Sequence, residues 1–88
     1  MIKKITITGI VQGVGMRYFI ATLARKHHLL GEVQNNTDGS VTCIIKGDKT
    51  QIHPFIKALK DDSPGDIAQL DITTLTTHKP YSDFTITH

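Results

Sequence analysis

The residues best suited to chemistry in this chain fall in two short stretches. The first is Gln12-Gly13-Val14-Gly15, followed at once by Met16 and Arg17; the second ends at Asn35. Glycines let consecutive backbone N–H groups turn inward on an anion. If a helix starts there, its amino terminus adds partial positive charge. An arginine in the first turn supplies a fixed charge whose planar fork matches two phosphate oxygens, a geometry lysine cannot copy. The combination describes a phosphate cradle with no metal in it. Each part alone is weak. The loop has no Lys-Ser or Lys-Thr after it and is not Gly-x-Gly-x-x-Gly, so by itself it reads equally well as a turn. An asparagine after a strand is most often a turn residue. The case rests on both stretches reaching one place.

That requirement falls on the elements that carry them. Residues 3–11 alternate, with Ile5, Ile7, Gly9 and Val11 on one face and Lys4, Thr6 and Thr8 on the other, the period of a half-buried strand. Met16, Phe19, Ile20, Leu23, Ala24 and Leu30 then recur at helical spacing, and Gly31 is the expected helix stop. Residues 32–35 read as a second strand. Asn36-Thr37-Asp38-Gly39 carries a hairpin signal into a third strand marked by Val41, Cys43 and Ile45. Ile52, Phe55, Ile56 and Leu59 give a second helix with Pro54 in or near its first turns. After Ser63-Pro64-Gly65, Ala68, Leu70 and Ile72 suggest a fourth strand, and Phe84 with Ile86 a short closing one. The order predicts an α+β fold, a ferredoxin-like two-layer sandwich (βαββαβ) with both helices on one face of an antiparallel sheet and a polar open face. A crossover from strand to parallel strand puts both carboxyl ends at one edge, so Val11 and Asn35 are expected to be neighbours.

Composition bounds the remaining possibilities. The 88 residues suit one domain, 1–88, with 39% hydrophobic and 20% charged residues, ordinary values for a soluble globular chain. The one cysteine excludes an internal disulfide and a zinc knuckle. Met1-Ile2-Lys3-Lys4 is followed by alternation instead of an apolar run, and no stretch is long and apolar enough to span a bilayer, which leads to an expected cytoplasmic location. The net charge of +2 suits a small anionic ligand but falls short of a nucleic-acid surface.

Gly9-Ile10-Val11-Gln12-Gly13-Val14-Gly15-Met16-Arg17 resembles the first signature of the acylphosphatase family. Gly31-Glu32-Val33-Gln34-Asn35, continuing through Asp38-Gly39-Ser40-Val41 to Gly47, resembles the second. The resemblance covers essentially the whole chain, including the Pro-Gly break and the Phe-x-Ile ending. It implies hydrolysis of the carboxyl–phosphate bond of acyl phosphates by a cofactor-free, metal-independent enzyme. It also implies that residues 12–17 (Gln12, Gly13, Val14, Gly15, Met16, Arg17) form the phosphate-binding loop, with Arg17 holding the phosphate and Asn35 orienting the water. Such chemistry needs little more: the leaving carboxylate has a conjugate-acid pKa of about 4 to 5, so no strong general acid is required. In a loose phosphoryl-transfer transition state, positioning and charge stabilisation supply most of the catalysis.

Met16 and Glu32 depart from the usual phenylalanine and aromatic residue of the family. A carboxylate near an anion site repels substrate unless it points to solvent or pairs with a base. A similar domain opens the large hydrogenase-maturation proteins that handle carbamoyl groups. The chain ends without the cysteine-rich segments expected after such a domain, which leads to the expectation of a free-standing enzyme; a monomer acting on a small-molecule acyl phosphate, with no nucleic-acid or membrane partner, is also expected. The alternative class is a non-catalytic ferredoxin-like ligand-binding domain, or a carbamoyl-phosphate-binding one. RNA reading is disfavoured, because the outer face of the third strand offers Thr42, Ile44 and Lys46 and no aromatic platform.

The other reactive side chains take plain readings. Cys43 shares parity with Val41 and Ile45 and is read as a core thiol. His27 and His28 lie late on the first helix, His53, His78 and His88 are scattered, and all are read as surface residues. Asp61-Asp62 reads as a solvated helix end.

Overall fold

The computed structural model describes residues 1–76 and 79–87; His78 and His88, read above as surface histidines, lie outside these. The chain folds as β1 (Ile2–Ile10), α1 (Met16–Lys26), β2 (Leu30–Asn35), β3 (Val41–Lys46), α2 (Lys49–Asp62), β4 (Asp66–Thr74) and β5 (Phe84–Thr87). The five strands form one sheet in the order β4-β1-β3-β2-β5. The α+β sandwich expected from periodicity is present. The sheet is mostly antiparallel, as expected, and mixed at one edge, where β5 pairs in parallel with β2, Gly31 facing Phe84 and Val33 facing Ile86. The short Phe-x-Ile pattern carries no information on which edge it joins. Among the described residues no helix is long and apolar enough to cross a membrane.

Side-chain parity builds the core. Ile5, Ile7, Val33, Val41, Cys43 and Ile45 turn to the helical layer and are fully buried there with Ile20, Ala24, Phe55 and Leu59. Burying one such side chain stabilises the fold by roughly 2 kcal/mol. The opposite parity, including Lys4, Thr6, Gln34, Thr42 and Ile44, lines a broad, open depression of about 700 Å³ on the other face of the sheet. In β4 the alternation is only partly realised. A register shift at Thr8/Gly9 puts Ile67 and Leu70 against the core, while Ile72 lies 39% exposed at the sheet edge.

Helix α1 ends earlier than the sequence suggests. His28 takes the left-handed conformation (φ 57), its N–H donates to Arg25 O at 3.1 Å, and that of Leu29 donates to Ala24 O at 2.9 Å. This is a Schellman cap. Gly31 is therefore not the helix stop; it lies inside β2 at φ 143, where an added Cβ would stand 1.8 Å from the Ile44 carbonyl oxygen. Only glycine permits that approach of β2 to β3. Helix α2 begins with a capping box: Asp48 accepts from Gln51 N at 3.1 Å, and Gln51 Oε1 accepts from Asp48 N at 2.8 Å. Pro54 lies inside the helix, one turn beyond its start.

Candidate active site

β1 and β2 are both antiparallel to β3, so they run parallel to each other, with Ile7 and Asn35 both opposite Val41. Their carboxyl ends share an edge. There a cavity of about 290 Å³ is lined by Val11, Gly13, Gly15, Met16, Arg17, Tyr18, Asn35 and Ile86. Arg17 and Asn35, separate in sequence, thus wall one space.

The loop is shaped by two left-handed glycines, Gly13 at φ 74 and Gly15 at φ 85. Gly15 is also the residue that opens α1; no side chain caps that helix start, and its first turn holds no acidic residue. A capping serine or aspartate would place its own oxygen over these amides. Gly15 brings no such oxygen, so the positive end of α1 lies at the loop that walls the cavity.

The side chain of Gln12 braces the loop. Its Nε2 donates to Asn36 O at 2.7 Å and to Ser40 O at 2.9 Å, lashing the loop to the β2–β3 hairpin. The hairpin is itself tightly held. Asn36 Nδ2 donates to Ser40 Oγ at 2.8 Å and to Thr42 Oγ1 at 2.7 Å, and Asp38 accepts from the Ser40 hydroxyl and amide at 2.6 and 2.9 Å. Those bonds from Ser40, the hydroxyl's first, hold the Asp38 carboxyl below its ordinary range. Asn35 therefore projects from the base of a braced turn. Val14 also leaves the cavity, packing against the core. The structure thus brings together Gly13, Gly15, Met16, Arg17 and Asn35, and sets Gln12 and Val14 outside the lining.

Sequence reasoning sets Val11 at this edge beside Asn35 but assigns no place in the wall to Val11, Tyr18 or Ile86. Tyr18, 73% exposed, is an aromatic directly after Arg17 in the chain, the one cue the sequence offered. Ile86 depends on β5 reaching the β2 edge, which no local pattern encodes. Arg17 itself is half-buried, and its Nη1 donates to the carbonyl of Thr87, next to Ile86, at 3.5 Å.

Glu32 is buried on the opposite face of the sheet and is not part of the cavity wall. Its carboxylate accepts from Tyr81 OH at 2.6 Å and Thr87 Oγ1 at 3.2 Å and pairs with Lys79 Nζ at 3.0 Å. The Tyr81 bond, offset in part by burial and helped by Lys79 and Thr87, holds its carboxyl below the ordinary carboxylate value. The repulsion raised by its presence is answered by the base it pairs with. Cys43 is fully buried, and desolvation pushes its thiol far above the ordinary value, which fits the core reading.

These features define a class: a small ferredoxin-like α+β domain whose glycine loop, arginine and asparagine wall one cavity at the shared carboxyl edge of two strands. A family model described as acylphosphatase matches residues 3–86, and the chain belongs to the acylphosphatase family. It is a hydrolase of that type. An acylphosphatase from Thermotoga maritima is 37% identical over 83 residues, covering 94% of this chain and 92% of the relative. One from Bacillus subtilis is 36% identical over 83 residues, covering 90% and 91%. The crystal structure of acylphosphatase from Bacillus subtilis superposes over 100% of both chains with a TM-score of 0.91 at 32% identity. Full-length HypF, in a phosphate- and nucleotide-bound form, matches 99% of this chain with 12% of its own, with a TM-score of 0.92 at 34% identity.

Proposed function

We propose that the chain hydrolyses the carboxyl–phosphate bond of acyl phosphates, with Arg17 and the amides of the 12–17 loop binding the phosphoryl group and Asn35 orienting the attacking water. The observation that carries this is the single cavity walled by Arg17, Asn35 and the uncapped start of α1. Charge on the equatorial oxygens of the transferring group falls to the guanidinium fork and the main-chain donors, which are preorganised and cost little reorganisation. The Asn35 carboxamide can both accept from and donate to a water, which fixes it in line with the scissile bond. The carboxylate then departs unprotonated.

Phosphate release from acetyl or benzoyl phosphate in the presence of a chelator tests the reading, with ordinary phosphate esters as control. Turnover of the anhydrides alone is expected. Equal turnover of the esters sinks the leaving-group argument, and loss of turnover with chelator sinks the metal-free mechanism. The resemblance to the carbamoyl-handling hydrogenase-maturation proteins gives the second reading of the same site, in which the anhydride is carbamoyl phosphate. A kcat/KM for carbamoyl phosphate well above that for acetyl phosphate selects it.

A further inference from the structure

Resting on that assignment of Arg17, we propose that Glu32 is a positioning residue for the cavity, acting from the far side of the sheet through Thr87. The argument starts from parity. In β5, Thr87 turns to the open face, where its hydroxyl donates to Glu32 Oε1 at 3.2 Å. Ile86, one residue back, turns the other way and forms part of the cavity wall. The carbonyl of Thr87 receives Arg17 Nη1 at 3.5 Å. One short strand thus contacts the carboxylate on one side of the sheet and the guanidinium on the other.

The strand is poorly held by its own length. Among the described residues β5 spans Phe84–Thr87, sits at the sheet edge, and pairs with β2 as far as Thr87 facing Gln34. Strand ends with one neighbour fray readily, since few buried contacts oppose opening. Phe84, fully buried, anchors the beginning of β5, helped by Arg25, whose Nη2 donates to the Phe84 carbonyl at 2.8 Å. The end that carries Ile86 and Thr87 has the Glu32 bond as its side-chain tie across the open face. Glu32 is itself fixed through its second oxygen, which takes the Tyr81 hydroxyl at 2.6 Å and the Lys79 ammonium at 3.0 Å. A carboxylate held at one oxygen presents the other in a set place, and the strand end follows it. An aromatic residue at this position offers no such acceptor.

The test measures steady-state kinetics and the inhibition constant of inorganic phosphate for wild type, Glu32→Ala, Glu32→Gln, Thr87→Val and the Glu32→Ala/Thr87→Val double variant, well below each melting temperature. Glu32→Ala and Thr87→Val are each expected to lower kcat/KM about tenfold and to raise the phosphate constant several-fold, because a small displacement of a phosphate ligand is costly. The double variant is expected to match the singles, since both break one link. Glu32→Gln keeps an acceptor for Thr87 and is expected to stay within about threefold of wild type. Additive losses, or a Thr87→Val enzyme with wild-type constants, overturn the proposal. So does tighter phosphate binding in both Glu32 variants, the mark of simple charge repulsion. If Glu32→Ala fails to fold, Thr87→Val decides alone. An active Arg17→Ala enzyme removes the underlying assignment; an inactive one beside wild-type-like Glu32→Ala and Thr87→Val enzymes refutes the link to Glu32 only.

Discussion

Arg17 and Asn35 owe their proposed roles to different chemical properties, and substitution separates them. On the proposed role the guanidinium would bind the phosphoryl group in both ground and transition states, so Arg17→Ala is expected to lower kcat/KM by about a thousandfold or more and to weaken inhibition by inorganic phosphate, with circular dichroism unchanged. An enzyme with wild-type turnover would remove the arginine from the mechanism. On the proposed role the carboxamide would act on water, so Asn35→Ala is expected to lower kcat about a hundredfold while the phosphate inhibition constant stays within about threefold. A loss confined to affinity would reassign Asn35 to binding. At this scale the sequence was most legible where a side chain has one plausible use. It was silent on the Gln12 side chain, whose amide is taken up by the carbonyls of Asn36 and Ser40. A glutamine can serve a ligand or a neighbouring backbone equally well, and only the hairpin's position decides between them.

Elements depend on local signals that compete with tertiary ones. The Gly31 error is instructive: a glycine after an apolar helical run satisfies the stop rule, yet the left-handed cap went to His28 and the glycine was needed one strand later for close approach to Ile44. Gly31→Ala would push a Cβ into a backbone carbonyl that no side-chain rotation relieves. The expected loss is at least about 2 kcal/mol, a fall of roughly 10 °C in Tm by calorimetry. A Tm within two or three degrees of wild type would show that β2 and β3 can separate cheaply. The start of α2 was legible in retrospect, since Asp48-Lys49-Thr50-Gln51 is a capping-box spacing. Asp48→Ala removes the acceptor for Gln51 N and is expected to lower Tm by a few degrees without changing kcat, because α2 lies outside the cavity wall. A change in kcat would mean that the helix start communicates with the site.

On the scale of the whole molecule, Glu32 links the ionisation of one buried carboxyl to the closure of the sheet. Its pKa lies below the ordinary 4.5 in the folded state, first because of the Tyr81 hydrogen bond. Between the folded and unfolded values the unfolded chain binds more protons, so this contribution is fully present above about pH 4.5 and is lost as pH falls through the folded value. In urea titrations the stability gap between wild type and Glu32→Gln is therefore expected to hold from pH 7 down to about 4.5 and to shrink below it. A gap that stays constant, or widens, on acidification would show that the carboxylate gains nothing from its partners.

The sequence by itself determined the alternation of the first strands, the amphipathic faces of both helices, the hairpin at Asp38-Gly39 and the meeting of the loop that carries Arg17 with the strand end that carries Asn35, because each follows from backbone period or from the handed crossover between two strands. Tertiary structure alone decided that β5 closes the sheet in parallel on β2, that Ile86 and Tyr18 complete the cavity, and that Glu32 faces away from it. Those outcomes join residues far apart in the chain across an edge whose pairing is set by the packing of the whole sheet, and no local period encodes such a contact.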